Sequence, residues 1–145
     1  MTIADNIGRV REMISKAAVR SGRNPDDIIL VAAAKMKSAE SVREAVAGGV
    51  DAIGENRVQE MLEKNREGAY TNAKLHYIGH LQSNKVRQIV GLCDMIQSVD
   101  SPELIALIGK RAEGLGIRQD VLIEVNIGRE PNKAGVLKER LPEIL

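Results

Sequence analysis

The sequence predicts an α/β fold in which helices cover a parallel β-sheet. After a leading helix, five apolar segments of strand length alternate with segments of helical periodicity. Strands that alternate with helices of this length are joined by right-handed crossovers, which place the strands parallel in one sheet. A chain of 145 residues is long enough for one domain with a core and too short for us to expect two. We therefore expect a single domain over residues 1–145.

The leading helix and the helix ends can be predicted from local patterns. Apolar residues between Ile3 and Ala17 recur at helical spacing, and this pattern ends in the turn-rich segment SGRNP. A serine begins the next helix and a glycine pair ends it, and a later helix begins at Ser101 with Pro102 in its first turn. The predicted helices after the first are SAESVREAVAGG at 38–49, NRVQEMLEKNREG at 56–68, SNKVRQIVGL at 83–92 and SPELIALIGKRAEGLG at 101–116. A further helical pattern, LKERLPEIL, occupies 137–145.

The five strand segments are short, apolar and rich in β-branched residues, as is typical of strands buried in a parallel sheet. They are IILVAAA at 28–34, DAIGE at 51–55, KLHYIGH at 74–80, DMIQSV at 94–99 and QDVLIEVNI at 119–127.

Composition excludes several classes of partner. The chain has 21 basic and 20 acidic residues, so it carries no broad electrostatic attraction for nucleic acid or for an anionic membrane. It has no Phe or Trp, and its two tyrosines cannot form the stacking platform that single-stranded nucleic acid needs. We therefore expect a small-molecule ligand, with neither nucleic acid nor a membrane as partner.

The single cysteine and the amino-terminal segment indicate a cytoplasmic protein. Cys93 is alone, which excludes a disulfide within the chain and fits a reducing compartment, where we expect it to be a small buried residue. The start MTIADNIGRVREMISKA is charged and lacks the apolar run of a signal peptide, and no later segment reaches membrane-spanning length.

A lysine follows the first strand in VAAAKMKSAE, residues 31–40. Because side chains alternate along a strand, Lys35 shares a face with Val31 and Ala33. Ligands of parallel α/β folds bind beyond the carboxyl ends of the strands, and the small Ala33 leaves room there. Apolar walls around the amine would favour its neutral form, which can attack an aldehyde and form an imine. The alternative is a lysine that extends from the strand end into solvent.

Polar residues also follow the other strands, and each has a structural alternative to a role in binding. We interpret Ser83 and Ser101 as helix caps, and Asn56 is as compatible with ligand contact as with capping. The alternatives for the rest are a turn at Asp100, a solvated loop residue at His80 and a buried amide bonded to backbone at Asn126.

Several motifs together resemble a known family. AAAKMK, IGENRVQE, HYIGHLQSNK, QSVDS and EVNIGREPNKAG, in this order and spacing, are similar to the YggS/PROSC pyridoxal phosphate homeostasis proteins. The resemblance implies a TIM (β/α)8 barrel of the type of the alanine racemase N-terminal domain, of which this chain holds the leading helix and the first five βα units. It implies pyridoxal 5'-phosphate held as a Schiff base on Lys35, with Asn56 beside the cofactor. Members are cofactor carriers or regulators without established turnover, so no catalytic residue and no metal ligand is implied. Ser38 departs from the proline often found after the lysine pair.

The length of the chain raises alternatives. The family barrel has eight strands, so we expect a fragment, in which Val31, Ile53 and Val125 would be left in water. In such barrels loops after strands seven and eight commonly grip the phosphate, and no glycine-rich cradle replaces them here. Family members are mostly monomeric, whereas this chain is expected to self-associate. Alternatives are an amino-acid racemase or decarboxylase, which would need Tyr77 or His80 as a second acid or base, and a remnant or interaction module that binds no cofactor.

Overall fold

The computed structural model describes residues 1–145. The chain forms two compact units, one of residues Met1–Gly54 and Gln59–Lys74, and the other of residues Glu55–Val58 and Leu75–Leu145. The single domain expected from chain length remains a prediction.

The first unit begins with a capped helix. Helix α1 spans Ile3–Arg20. The Thr2 hydroxyl accepts a hydrogen bond from the Asp5 N–H at 3.1 Å, and the Asp5 carboxylate accepts one from the Thr2 N–H at 2.7 Å. These bonds form a capping box, and the hydrogen bonds with Thr2 lower the pKa of Asp5.

The first two strands pair in parallel. Strand β1 spans Val31–Ala33, helix α2 spans Ala39–Ala47 and strand β2 spans Ala52–Glu55. Val31 pairs with Ala52 and Ala33 with Gly54, so β1, α2 and β2 form one complete βαβ unit. Helix α3, Val58–Arg66, follows.

An ion pair holds the start of β2. Asp51 accepts a hydrogen bond from the Leu30 N–H and pairs with Arg11 of α1, in both cases at 2.5 Å. Although burial raises the pKa of Asp51, the bonds from Leu30 and Arg11 and the charge of Arg11 lower it below its ordinary value.

The second unit contains three strands that pair in parallel and in sequence order. Strand β3 spans Lys74–Tyr77, β4 spans Met95–Val99 and β5 spans Asp120–Ile123. Tyr77 of β3 pairs with Ile96 of β4, which in turn pairs with Val121 of β5. The helical segments of this unit are a 3₁₀ turn at Ser83–Lys85, α4 at Val86–Ile89, α5 at Pro102–Leu115 and a 3₁₀ segment at Lys138–Glu143.

The alternation of five strands with helices, and the parallel pairing, confirm the predicted α/β class. Ser38 and Ser101 cap α2 and α5 as expected, accepting bonds from the Ser41 and Leu104 N–H groups. Ser83 is not a cap, because it is the first residue of its 3₁₀ turn and Gln82 precedes it without a capping bond. The capping interpretation of Ser83 was therefore wrong.

Two predicted helices differ from expectation: one is shorter, and the other is a 3₁₀ helix rather than an α-helix. Helix α4 has four residues, because Val90 is already extended and Gly91 adopts φ 84°, a left-handed conformation that ends the helix. The segment 138–143 is a 3₁₀ helix that contains Pro142. In an α-helix the ring of an interior proline clashes with the carbonyl four residues back, and its missing N–H breaks the hydrogen-bond pattern, so Pro142 disfavours an α-helix here.

The expectation that Ile53 lies in water was wrong. Its side chain is fully buried and belongs to the core of the first unit. Val31 and Val125 are half-buried, whereas Ile29, just before β1, is 63% exposed. The apolar surface left to solvent is therefore smaller than the strand pattern suggested.

Candidate functional site

Lys35 lies in a turn that follows β1. Only Ala34 separates the end of the strand from the turn residues Lys35 and Met36, and the Lys37 N–H closes the turn by donating to the Ala34 carbonyl at 3.1 Å. Met36 has φ 60°, a left-handed conformation that is uncommon for a residue with a side chain. The side chain of Lys35 is exposed, so the apolar walls expected around its amine are not present.

Two side chains of α3 hold this turn. The Glu60 carboxylate accepts a hydrogen bond from the Met36 N–H at 3.0 Å, and the Lys64 ammonium donates to the Ala34 carbonyl at 2.8 Å. The two side chains are one helical turn apart and lie 3.7 Å from each other. The peptide groups on both sides of Lys35 are thereby bonded to a single helix.

Lys64 is the more unusual member of this pair. Its side chain is buried, with 6% of the residue exposed. A buried ammonium is costly unless it is paired and hydrogen-bonded, and here Glu60 and the Ala34 carbonyl supply both. The sequence analysis missed Glu60 and Lys64. Their only signal is the spacing of four residues on the predicted helix, which is equally typical of a surface ion pair.

Asn56 directly follows β2 and has an amide oxygen without a partner. Its Oδ1 atom is buried and accepts no hydrogen bond. Because a capping side chain must accept a bond from the helix N-terminus, Asn56 does not cap α3 through this atom. Buried polar atoms without partners are rare in native proteins, and a hydrogen-bond donor on a ligand would satisfy this one.

The backbone of Asn56 is fixed by the end of β3. The Tyr77 hydroxyl lies 3.3 Å from the Asn56 carbonyl oxygen and 3.2 Å from the His80 carbonyl oxygen, either of which can accept its proton. At Gly79, a Cβ atom would come within 2.2 Å of the Asn56 carbonyl oxygen, so only glycine permits this close approach. The Glu55 carbonyl accepts a bond from the Ile78 N–H at 2.8 Å, which continues the parallel pairing.

Tyr77 is therefore bonded within the protein rather than presented to solvent. It is 2% exposed, and burial together with the neighbouring Cys93 raises the pKa of its phenol. Cys93 is buried as expected, and burial raises the pKa of its thiol to about 12. A neutral phenol that donates its one proton to either of these two carbonyls stabilises the end of the strand.

His80 and Asp100 form a pair at the ends of β3 and β4. The His80 Nδ1 atom lies 3.5 Å from an Asp100 carboxylate oxygen, and the histidine side chain is 61% exposed. This exposure agrees with the interpretation of His80 as a solvated loop residue. Asn126 is half-buried, and its amide group bonds the backbone of Glu130 through both the oxygen and the nitrogen. That contact agrees with the structural alternative for Asn126.

Lys35 belongs to the first unit and Asn56 to the second, and each has its own local support. The structure contains no group of three or more His, Cys, Asp or Glu side chains that could hold a metal ion. None of the helices combines the length and the apolar character that crossing a bilayer requires.

Comparison with known proteins identifies the family. The profile of the alanine racemase N-terminal domain matches residues 2–145. The chain belongs to this family. An alanine racemase from Clostridium difficile 630 is 18% identical with a TM-score of 0.72, covering 97% of this chain and 36% of that chain. At that identity the likeness shows the fold alone, and it confirms the predicted barrel class of the alanine racemase N-terminal domain.

Closer relatives within the alanine racemase N-terminal domain family carry another name. Proteins named pyridoxal phosphate homeostasis protein are 42% identical in Aquifex aeolicus, over 99% of this chain and 63% of the relative, and 37% identical in Escherichia coli K12, over 98% and 62%. The resemblance to the pyridoxal phosphate homeostasis proteins is thereby confirmed. The chain spans somewhat less than two thirds of the length of these relatives.

Solved structures of two further proteins are also similar to this chain in sequence and in fold. An unknown protein from Bifidobacterium adolescentis is 34% identical with a TM-score of 0.87, covering 98% of this chain and 62% of that chain. PipY of Synechococcus elongatus, solved with PLP bound, is 36% identical with a TM-score of 0.73, covering 90% of this chain and 63% of PipY.

Proposed function

We propose that this chain binds pyridoxal 5'-phosphate through a Schiff base on Lys35 and takes part in the homeostasis of that cofactor. Support comes from the relatives named for this role and from PipY, which was solved with PLP bound. The observation that carries the proposal is the turn at Lys35, in which an exposed amine stands on a backbone held by Glu60 and Lys64. The single buried cysteine agrees with action in a reducing compartment, the cytoplasm.

Each residue has a defined part in this proposal. The cofactor supplies an aldehyde that an amine can capture, and Lys35 is the amine. Lys64 and Glu60 hold the peptides on either side of Lys35 and so limit the positions that its stem can reach. Asn56 offers its buried, unpartnered oxygen to a donor on the bound molecule.

The chain's own residues favour binding over turnover. A racemase or decarboxylase needs an acid or base that is free to exchange protons with its substrate. The Tyr77 hydroxyl is buried and donates its proton to a backbone carbonyl, that of Asn56 or of His80, whereas His80 is exposed beside Asp100. The buried Tyr77 hydroxyl does not favour the enzyme alternative, and the relatives are named for cofactor homeostasis, so we propose the binding role alone.

Borohydride reduction tests this proposal, because it converts the imine into a stable secondary amine. We expect mass mapping of the reduced protein to place the added pyridoxyl group on Lys35. Lys35→Ala should abolish this adduct and leave the far-ultraviolet dichroism unchanged, because the exposed side chain has no part in the core. Lys37→Ala, two residues later in the same exposed segment, is the matched control and should retain the adduct.

An adduct that persists in Lys35→Ala would overturn the assignment. Release of a racemised or decarboxylated amino acid by the unreduced protein would favour the enzyme alternative. Absence of an adduct in the wild-type chain would favour a remnant that no longer binds the cofactor.

A further inference from the structure

A groove of about 400 Å³ lies between the 3₁₀ turn at Ser83–Lys85, α4 and α5. It contains neither Lys35 nor Asn56, and no part of the proposed cofactor role uses it. Its volume falls within the range of small-molecule sites in proteins. The groove is therefore a separate candidate for ligand binding in the second unit.

Three cationic side chains line this groove. Arg87 extends from α4, and Lys110 and Arg111 extend from α5. None of them has a carboxylate within ion-pairing distance, although the chain as a whole carries nearly equal numbers of acidic and basic residues. Three cations without a counter-ion on one concave surface attract an anion.

Arg111 provides a second observation. Its Nε atom is buried and makes no hydrogen bond. A guanidinium N–H that is removed from water and left unpaired is destabilising, so this atom calls for an acceptor. Ser83 and Asn84 add a hydroxyl and an amide at the edge of the groove, and Val86 and Leu107 supply apolar surface.

We propose that this groove binds a small organic phosphate. Guanidinium groups bind phosphate through paired hydrogen bonds, and Lys110 adds a further positive charge. The apolar surface of Val86 and Leu107 accommodates an organic body, which an inorganic ion lacks.

Titration calorimetry of the 145-residue chain with adenosine 5'-monophosphate tests the proposal, because this probe carries a phosphate but no aldehyde. We expect saturable binding of one molecule per chain, weakened by salt. Arg111→Met keeps an apolar stem and removes the charge, so it should weaken binding at least about tenfold. Arg87→Met, on α4, should also weaken it and serves if Arg111→Met fails to fold.

Matched controls separate this site from general charge and from the cofactor role. Arg118→Met removes an exposed arginine outside the groove and should leave binding unchanged. Lys35→Ala should also bind the nucleotide as the wild type does, so failure of the cofactor proposal and failure of this one are distinguishable. Absence of saturable binding, an equal loss in Arg111→Met and Arg118→Met, or equal affinity for inorganic phosphate would each overturn the proposal.

Discussion

At the scale of single residues, the amide oxygen of Asn56 is buried without a hydrogen-bond donor, which lowers the stability of the fold. Leaving a buried acceptor without a donor costs roughly 1–3 kcal/mol, and the fold accepts this cost at the end of β2. The neighbouring contacts at Tyr77 and Gly79 fix the backbone of Asn56 but do not satisfy this oxygen. Such a placement is typical of a residue retained for binding rather than for stability.

We predict that Asn56→Ala weakens retention of pyridoxal 5'-phosphate while leaving the free energy of unfolding unchanged or slightly higher. The variant loses one bond to the ligand, about 0.5–1.5 kcal/mol or a few-fold to tenfold in affinity, and removes an unsatisfied atom. Equilibrium dialysis and urea unfolding measure the two quantities.

Ser98→Ala is the matched control for this prediction, because the Ser98 Oγ atom is also buried without a hydrogen bond. It should leave retention of the cofactor unchanged. A large fall in stability for Asn56→Ala, with retention intact, would assign Asn56 a purely structural role.

At the scale of elements, α3 supports the turn after β1. Glu60 and Lys64 are one helical turn apart, so a single rigid segment bonds the peptides on both sides of Lys35. The bonds from α3 therefore both stabilise the turn and limit the positions open to the Lys35 amine. The left-handed conformation of Met36 in that turn strains the backbone, and these bonds offset the strain energy.

We predict that Lys64→Met lowers the free energy of unfolding by about 1–3 kcal/mol, because the Ala34 carbonyl and Glu60 lose a buried partner. The rate of imine formation at Lys35 should fall in the same variant, since the turn becomes mobile. Urea unfolding and the absorbance of the imine measure these effects.

Lys16→Met is the control, because Lys16 also pairs with an acid four residues away on a helix but is exposed. It should cost about 0.3–0.5 kcal/mol and leave imine formation unchanged. If Lys64→Met behaves like Lys16→Met in both measurements, α3 does not position Lys35.

At the scale of the whole molecule, apolar side chains and strand edges remain open to solvent. Ile29 before β1, Leu122 in β5 and Ile127 after it are 63%, 48% and 87% exposed. No strand pairs with the outer edge of β5 over Asp120–Ile123, although the chain directly after it bonds Val136 through Glu124 and Asn126. Exposed strand edges of this kind are templates for pairing with another chain.

We predict that the 145-residue chain self-associates in sedimentation experiments, in a concentration-dependent manner. Leu122→Lys should reduce this association, because a charge on an edge strand opposes pairing. Met13→Lys changes an exposed apolar residue on α1 and should leave association as it is in the wild type. A compact, thermally stable monomer at all concentrations would contradict the prediction.

Local patterns determined the element order and much of the candidate site. The capping roles of Ser38 and Ser101, the position of Lys35 after the first strand and the buried state of Cys93 all follow from residues close in sequence. Interactions of this range depend on backbone geometry that repeats in every helix and strand, so the sequence alone is sufficient.

Only the tertiary structure decided how the site is supported. The bonds from Glu60 and Lys64 to the turn at Lys35 span 24 and 30 residues, and the Gly79 contact with Asn56 joins the ends of different strands. The burial of Ile53, misjudged from strand alternation, likewise depends on its neighbours in the fold. A periodic pattern predicts which face of its strand or helix a side chain lies on. The groups that contact the side chain on that face are determined by how distant elements pack.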